Sequence, residues 1–145
     1  LGAFVQYDGS NVLDAALVHM PLMGFIVPND PRWLSTMAAM DRTLVDDSLV
    51  YRYDPQASPD GLPGSEGTFS LCTFLYVDAL ARSGRLDDAR MTFSKMLTYA
   101  NHLGLYSEEI DPTGQQVGNF PQAFTHLALI QAVLRLDEQL NRRRS

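Results

Sequence analysis

Two glutamates stand side by side in the stretch Gly104-Leu105-Tyr106-Ser107-Glu108-Glu109-Ile110-Asp111-Pro112. The glycine reads as a helix end, and Tyr106 and Ile110 frame the acidic pair with apolar groups. A second stretch gathers Arg52, Asp54, Asp60 and Glu66, with Tyr51 and Tyr53 among them. Its centre, Asp60-Gly61-Leu62-Pro63-Gly64-Ser65-Glu66-Gly67-Thr68-Phe69, has glycines on both sides of Glu66, where backbone can approach a ligand closely. The same residues also read as a helix start, with Ser65 or Thr68 as the cap and Glu66 complementing the helix dipole. Carboxylates and a guanidinium hydrogen-bond hydroxyl groups, and aromatic faces stack on sugar rings, so the combination suits a neutral polyhydroxyl ligand. Glycoside hydrolysis needs such groups: one acid protonates the leaving oxygen, and a second carboxylate attacks or activates water. The two must come from separate segments that face one cavity.

Helices are expected to position these loops. Segment 11–20 puts Leu13, Leu17 and Met20 on one face after a cap at Ser10 or Asn11. Asp30 and Pro31 start a second helix, in which Trp33, Met37, Met40 and Leu44 form one stripe. A third helix is predicted from about Thr68 to Arg82, with Phe69, Cys72, Tyr76 and Leu80 in line and Leu71 and Leu75 widening the apolar face. Such breadth implies burial on more than one side. Gly84 ends it, and a fourth helix follows from about Leu86 to Asn101, facing inward through Leu86, Ala89, Phe93, Leu97 and Ala100. The fifth runs from about Pro121 to Leu140 with Asn119 as a possible cap and a stripe through Phe124, Leu127, Gln131 and Leu134. Strand signals are thin: Val50-Tyr51-Arg52-Tyr53 alternates, but nothing offers it a sheet. The fold class is all-α.

Connection lengths add direction. About three residues around Gly84 force an antiparallel hairpin, whereas the links near 45–67 and 102–118 are long. Structureless links beyond ~12–15 residues are uncommon in compact domains and usually functional. If neighbouring helices alternate up and down, both long loops lie at the same end and meet on one face.

Composition excludes other classes. The chain has 145 residues, 46% hydrophobic and 19% charged, which is a folding composition. A formal charge of −6 argues against a partner that is nucleic acid, and Arg142, Arg143 and Arg144 read as a solvated tail. No apolar run approaches the ~20 residues of a membrane span, so no membrane partner is expected. The single cysteine, Cys72, sits on an apolar face and reads as core; it fits a reducing compartment, and a cytoplasmic location is expected. His19, His102 and His126 lack metal-ligand spacing, and there is no phosphate-cradling glycine loop, so no metal or cofactor is expected. The first residue is Leu1 and no signal peptide opens the chain, which reads as a fragment.

Several blocks together resemble one family. They are Leu13-Asp14-Ala15-Ala16, Met20-Pro21-Leu22-Met23-Gly24-Phe25, Leu49-Val50-Tyr51-Arg52-Tyr53, Asp60-Gly61-Leu62-Pro63-Gly64 with Glu66-Gly67, the Gly104–Pro112 stretch, and Gly118-Asn119-Phe120-Pro121-Gln122-Ala123-Phe124-Thr125-His126. The chain resembles the C-terminal part of glycoside hydrolase family 15, which groups glucoamylases, glucodextranases and bacterial trehalases. The likeness is closer to the bacterial branch than to the fungal glucoamylases. The resemblance implies an (α/α)6 barrel, of which residues 1–145 would be the C-terminal segment with the upstream helices missing. It also implies inverting hydrolysis of α-glucosides, whether oligosaccharide, dextrin or trehalose, with release of glucose. The general base maps to Glu108, with Glu109 as its neighbour, and the general acid lies upstream of this chain. Arg52 maps to a sugar-contacting arginine, Glu66 falls near the sugar site, and Tyr106, Gln122, Phe124 and His126 are placed around the pocket.

Two consequences and a rival follow. A partial barrel leaves helical faces exposed, which favours self-association. With one carboxylate of the pair absent, the isolated chain is expected to be inactive on its small carbohydrate substrate. The rival is a non-catalytic module of stacked helical hairpins that binds a protein or a sugar through its loops.

Overall fold

The structure is a computed structural model that describes residues 2–54 and 67–144. Five α-helices and five two-residue strands are present among the described residues. A 3-10 turn (Ala15–Val18) runs into α1 (His19–Leu22). Then come α2 (Pro31–Thr43), β1 (Val45–Asp46), β2 (Leu49–Val50), β3 (Thr68–Phe69) and α3 (Ser70–Arg82). α4 (Leu86–Leu97), β4 (Glu109–Ile110), β5 (Gln116–Val117) and α5 (Ala123–Arg144) complete the order.

The second helix forms as its sequence signals require. Asp30 Oδ1 accepts from Arg32 N at 2.9 Å, and Pro31 takes a first-turn position that needs no N–H. Trp33, Met37, Met40 and Leu44 are all buried, and the indole N–H of Trp33 donates to Ser83 Oγ at 3.1 Å, pinning α2 to the α3–α4 turn. Gly84 makes that turn with φ +79, a conformation costly for other residues.

α3 is the central helix. Every residue from Cys72 to Ala81 is buried, and the helix packs on α4 and α5. Its one buried charge, Asp78, accepts from Arg82 Nε at 2.5 Å and faces Arg135 of α5 at 3.7 Å. A buried carboxylate without such partners would cost several kcal/mol.

Several expectations need correction. The first helix starts at Ala15, not 11, because Asp14 and not Ser10 or Asn11 caps it: Asp14 Oδ1 accepts from Ala16 N at 2.7 Å. Ser10 Oγ is used in a local turn to Val12 N. α4 stops at Leu97 because Asn101 Oδ1 accepts from Leu103 N and Leu105 N, a local side-chain arrangement that competes with helix. The 102–118 link is not structureless: Asp111 Oδ1 accepts from Thr113 N and Gln115 N, closing a tight turn between β4 and β5. The Val50–Tyr53 stretch, expected to lack a sheet, finds partners at both ends, Val50 in β2 with Val45 of β1 and Tyr53 in a bridge to Asp14, and an unforeseen sheet joins β3, β4 and β5.

α5 turns differently from its expected stripe. It buries Thr125, Ala128, Ala132 and Leu136 against the core, at spacings of three, four and four. Phe124, Leu127, Ile130, Val133 and Leu134 are exposed. The small alanines permit the close approach of α3, so the face with least bulk wins over the face with most hydrophobicity.

Candidate active site

The sheet β3–β4–β5 joins the two long connections. Thr68 pairs with Ile110 and Phe69 with Glu109, so the residues after the first loop lie directly against the acidic pair of the second. The backbone carbonyl of Glu108 also accepts from Ser70 N at 2.9 Å, tying the glutamate to the start of α3. Gly67 is required here: a Cβ on it would lie 2.4 Å from the Ile110 carbonyl oxygen.

At this junction opens a cavity of about 370 Å³, within the ~300–1,000 Å³ typical of small-molecule sites. Arg52, Glu108, Gln122 and Phe124 line it together, from three separate segments of the chain. Asp14, His19, Phe69 and Cys72 complete the polar and apolar lining.

Each group has a definite setting. Glu108 Oε2 accepts from Asn119 N at 3.2 Å and from Asn119 Nδ2 at 3.0 Å. Oε1 has no hydrogen-bond partner among the described residues. The Arg52 guanidinium lies 5.6 Å from the Tyr53 ring centre and 5.9 Å from that of Phe69, so two aromatic faces hold the cation. Its backbone carbonyl accepts from Ala15 N at 2.7 Å, fixing the strand beside the first helical turn. Burial pushes the Cys72 thiol up to about 12, with the Asp14 charge adding to the rise and Arg52 opposing it. The thiol is therefore protonated at neutral pH and is no nucleophile.

Other residues assigned to the pocket from sequence lie elsewhere. Tyr106 is 2% exposed and packs edge-on against Phe74 at 5.2 Å between ring centres. Burial holds its phenol above the ordinary range, and the ring belongs to the core beneath the acidic loop, not to the cavity lining. His126 also lies outside the lining: its Nε2 accepts from Tyr106 N at 3.2 Å and its ring packs on Tyr106. Glu109 points to the other side of the loop, where Oε2 accepts from Gly67 N at 3.0 Å. Alternation along β4 explains this, since successive side chains of an extended segment face opposite ways. Glu66 and Asp60 lie outside the described residues.

Two lining or supporting residues were missed as site residues. Asp14 is expected inside the first helix, and its place in the cavity follows from the bridge to Tyr53 beside Arg52. Asn119 reads as a cap for the last helix but is spent on Glu108. No helix among the described residues is long and apolar enough to cross a membrane.

A carboxylate, a ring-held guanidinium, an amide and an exposed aromatic ring share one cleft, a set able to hydrogen-bond hydroxyl groups and to cover a ring face. Comparison with known proteins is specific. Residues 2–134 match the model of glycosyl hydrolases family 15. The chain is 46% identical over 145 residues to a trehalase of Thermoplasma volcanium, covering 99% of this chain and 23% of that protein. It is 46% identical over 134 residues to a trehalase of Mycobacterium tuberculosis, covering 92% and 20%. In fold it superposes on a solved wild-type glycosidase with a TM-score of 0.79 at 22% identity, covering 94% of this chain and 39% of the other. The chain belongs to glycoside hydrolase family 15. It spans about a fifth to a quarter of the length of the curated relatives it matches.

Proposed function

We propose that the chain is the C-terminal segment of the catalytic domain of an inverting α-glucosidase, with Glu108 as general base. The observation that carries this reading is the meeting of Glu108 and Arg52, from separate segments, in one cavity, with Glu108 Oε1 unengaged among the described residues. In this reading Oε1 accepts a proton from a water, whose oxygen attacks the anomeric carbon on the face opposite the leaving oxygen. The leaving oxygen is protonated by a general acid outside these 145 residues, in the remaining helices of an (α/α)6 barrel. Inversion requires the two carboxyl groups ~6.5–9.5 Å apart, leaving room for the water.

Arg52 and Gln122 donate to sugar hydroxyls, Phe124 offers a ring face, and Glu66, which lies outside the described residues, is assigned to the sugar site by the family resemblance alone. Tyr106, Glu109 and His126 act beneath the site by holding the loop that carries Glu108. No cofactor enters the reaction. The names of the relatives favour trehalose among α-glucosides, and a sequence with one cysteine fits a reducing, cytoplasmic compartment.

The rival, a non-catalytic interaction module, draws on the exposed Leu127, Ile130, Val133 and Leu134 of α5. In the proposed reading the rest of the barrel packs on that face, and the isolated chain self-associates through it. Asp14 is the other carboxylate in the cavity lining, but its Oδ1 is engaged as a helix cap.

Glucose release from trehalose and maltose, measured for the whole protein and for the 145-residue chain alone, tests the reading. The whole protein is expected to release glucose and the isolated chain is expected not to. Release by the isolated chain at enzyme-like rates, lost in Glu108→Gln, would put the acid within these residues and point to Asp14. No release by the whole protein from any α-glucoside would favour the interaction module.

A further inference from the structure

The geometry points to Asn119 as the positioning residue of the general base, dictating which oxygen of Glu108 does the chemistry. This rests on the proposed role of Glu108. Both donors of Asn119 converge on a single atom: its backbone N lies 3.2 Å and its Nδ2 3.0 Å from Glu108 Oε2. The contact is reciprocal, since the Asn119 carbonyl accepts from Glu108 N at 2.9 Å. Asn119 thus grips the glutamate at main chain and side chain together, and fixes a side chain that would otherwise sample several rotamers.

The preceding residue is shaped for this grip. Gly118 adopts φ +76, and a Cβ there would stand 3.0 Å from Oε2 and 3.1 Å from the Glu108 Cβ. Only a glycine brings the turn this close to the carboxylate without strain. With Oε2 saturated by two donors, Oε1 is the atom left to take the proton of the attacking water. Asn119 does not line the cavity, so it acts on the reaction through Glu108 and not by touching a sugar.

The charged and titratable groups that face Glu108 across the cavity are Asp14 beside the first helical turn, His19 of α1, Arg52 after β2 and Cys72 of α3. From α5 and the segment before it the cavity receives only uncharged groups, Gln122 and Phe124. Replacing Asn119 by aspartate sets a second carboxylate at hydrogen-bond distance from the first, and two carboxylates so close cannot both ionise. The base form of Glu108 then persists only at higher pH, so activity must be lost at a higher pH than in the wild type as pH falls. Replacing Asn119 by alanine removes one of two donors to the charged form and moves the same limb in the same direction by less.

The test is the pH profile of kcat for the whole protein on its α-glucoside, in wild type, Asn119→Asp, Asn119→Ala and Glu108→Gln. Asn119→Asp is nearly isosteric and tests function where the alanine variant loses fold. The acid limb is expected to rise by about one pH unit or more in Asn119→Asp and by less in Asn119→Ala, with KM little changed. A merely structural asparagine would lower the amount of active protein and leave the limb in place. Unmoved limbs in both variants, with Glu108→Gln inactive, would overturn the positioning role and leave the base assignment standing. A Glu108→Gln variant that keeps its turnover would overturn the base assignment and this inference with it.

Discussion

Glu108→Gln is expected to lower kcat of the whole protein about 10²–10⁴-fold, the range supplied by a positioned proton acceptor, while the fold survives. The side chain is partly exposed and makes its only described hydrogen bonds to Asn119. A glutamine can keep them by presenting its carbonyl oxygen to the two donors. Its amide nitrogen must then take the place of Oε1, and an amide nitrogen accepts no proton from water. The substitution therefore removes the chemistry and retains the shape. Circular dichroism and melting temperature close to wild type, KM within a few-fold, and kcat collapsed are the three expected readings. Collapse of the fold together with activity would make Glu108 a structural residue.

Gly67→Ala is expected to act in the opposite order, on the fold first. The added carbon would lie 2.4 Å from the Ile110 carbonyl oxygen and 2.9 Å from the carbonyl carbon, both backbone atoms. These atoms cannot retreat cheaply, because β4 is paired on both sides, to β3 and to β5. Forcing such an overlap costs about 1–3 kcal/mol in a packed site. It also separates Gly67 N from Glu109 Oε2 and disturbs the Ser70 N to Glu108 carbonyl bond in the same ladder. A melting temperature several degrees lower and a reduced kcat are expected together. A variant as stable as the wild type would mean that the two loops are not joined as described.

Much of this arrangement was legible in residue types and spacing. The stripe Trp33, Met37, Met40 and Leu44 is buried as its period demands, and the breadth of apolar positions in α3 is matched by burial on every side. The short link at Gly84 makes an antiparallel hairpin, and the long connections meet, through β3 and β4. Arg52 and Glu108, singled out by type, come to one cavity, joined there by Gln122 and Phe124, which only the family resemblance places near the pocket.

What sequence could not show was which way neighbouring groups point. Glu108 and Glu109 are equivalent in composition, yet backbone alternation sends one to the cavity and the other to Gly67. Tyr106 carries a sugar-stacking type of ring, but Phe74 and His126 close around it. On α5 two faces were apolar enough to be buried. The choice fell to Ala128 and Ala132 because close packing against α3 rewards small side chains, a property of the pair of helices and not of one sequence. The caps also differ from their reading, which puts Ser10 or Asn11 at the first helix and Asn119 at the last. Asp14 is a cap, and Asn119 is not, because α5 starts only at Ala123, while Asn119 donates to Glu108 across the turn.

The most direct test of the account is the configuration of the sugar at the moment of cleavage, read by proton NMR before mutarotation with α,α-trehalose and the whole protein. Attack by a base-activated water inverts the carbon it strikes, while the departing sugar keeps its configuration. The account predicts α- and β-glucose in equal amounts in the first spectra. Two equivalents of α-glucose would mean double displacement through a covalent intermediate, and would contradict a water-activating role for Glu108.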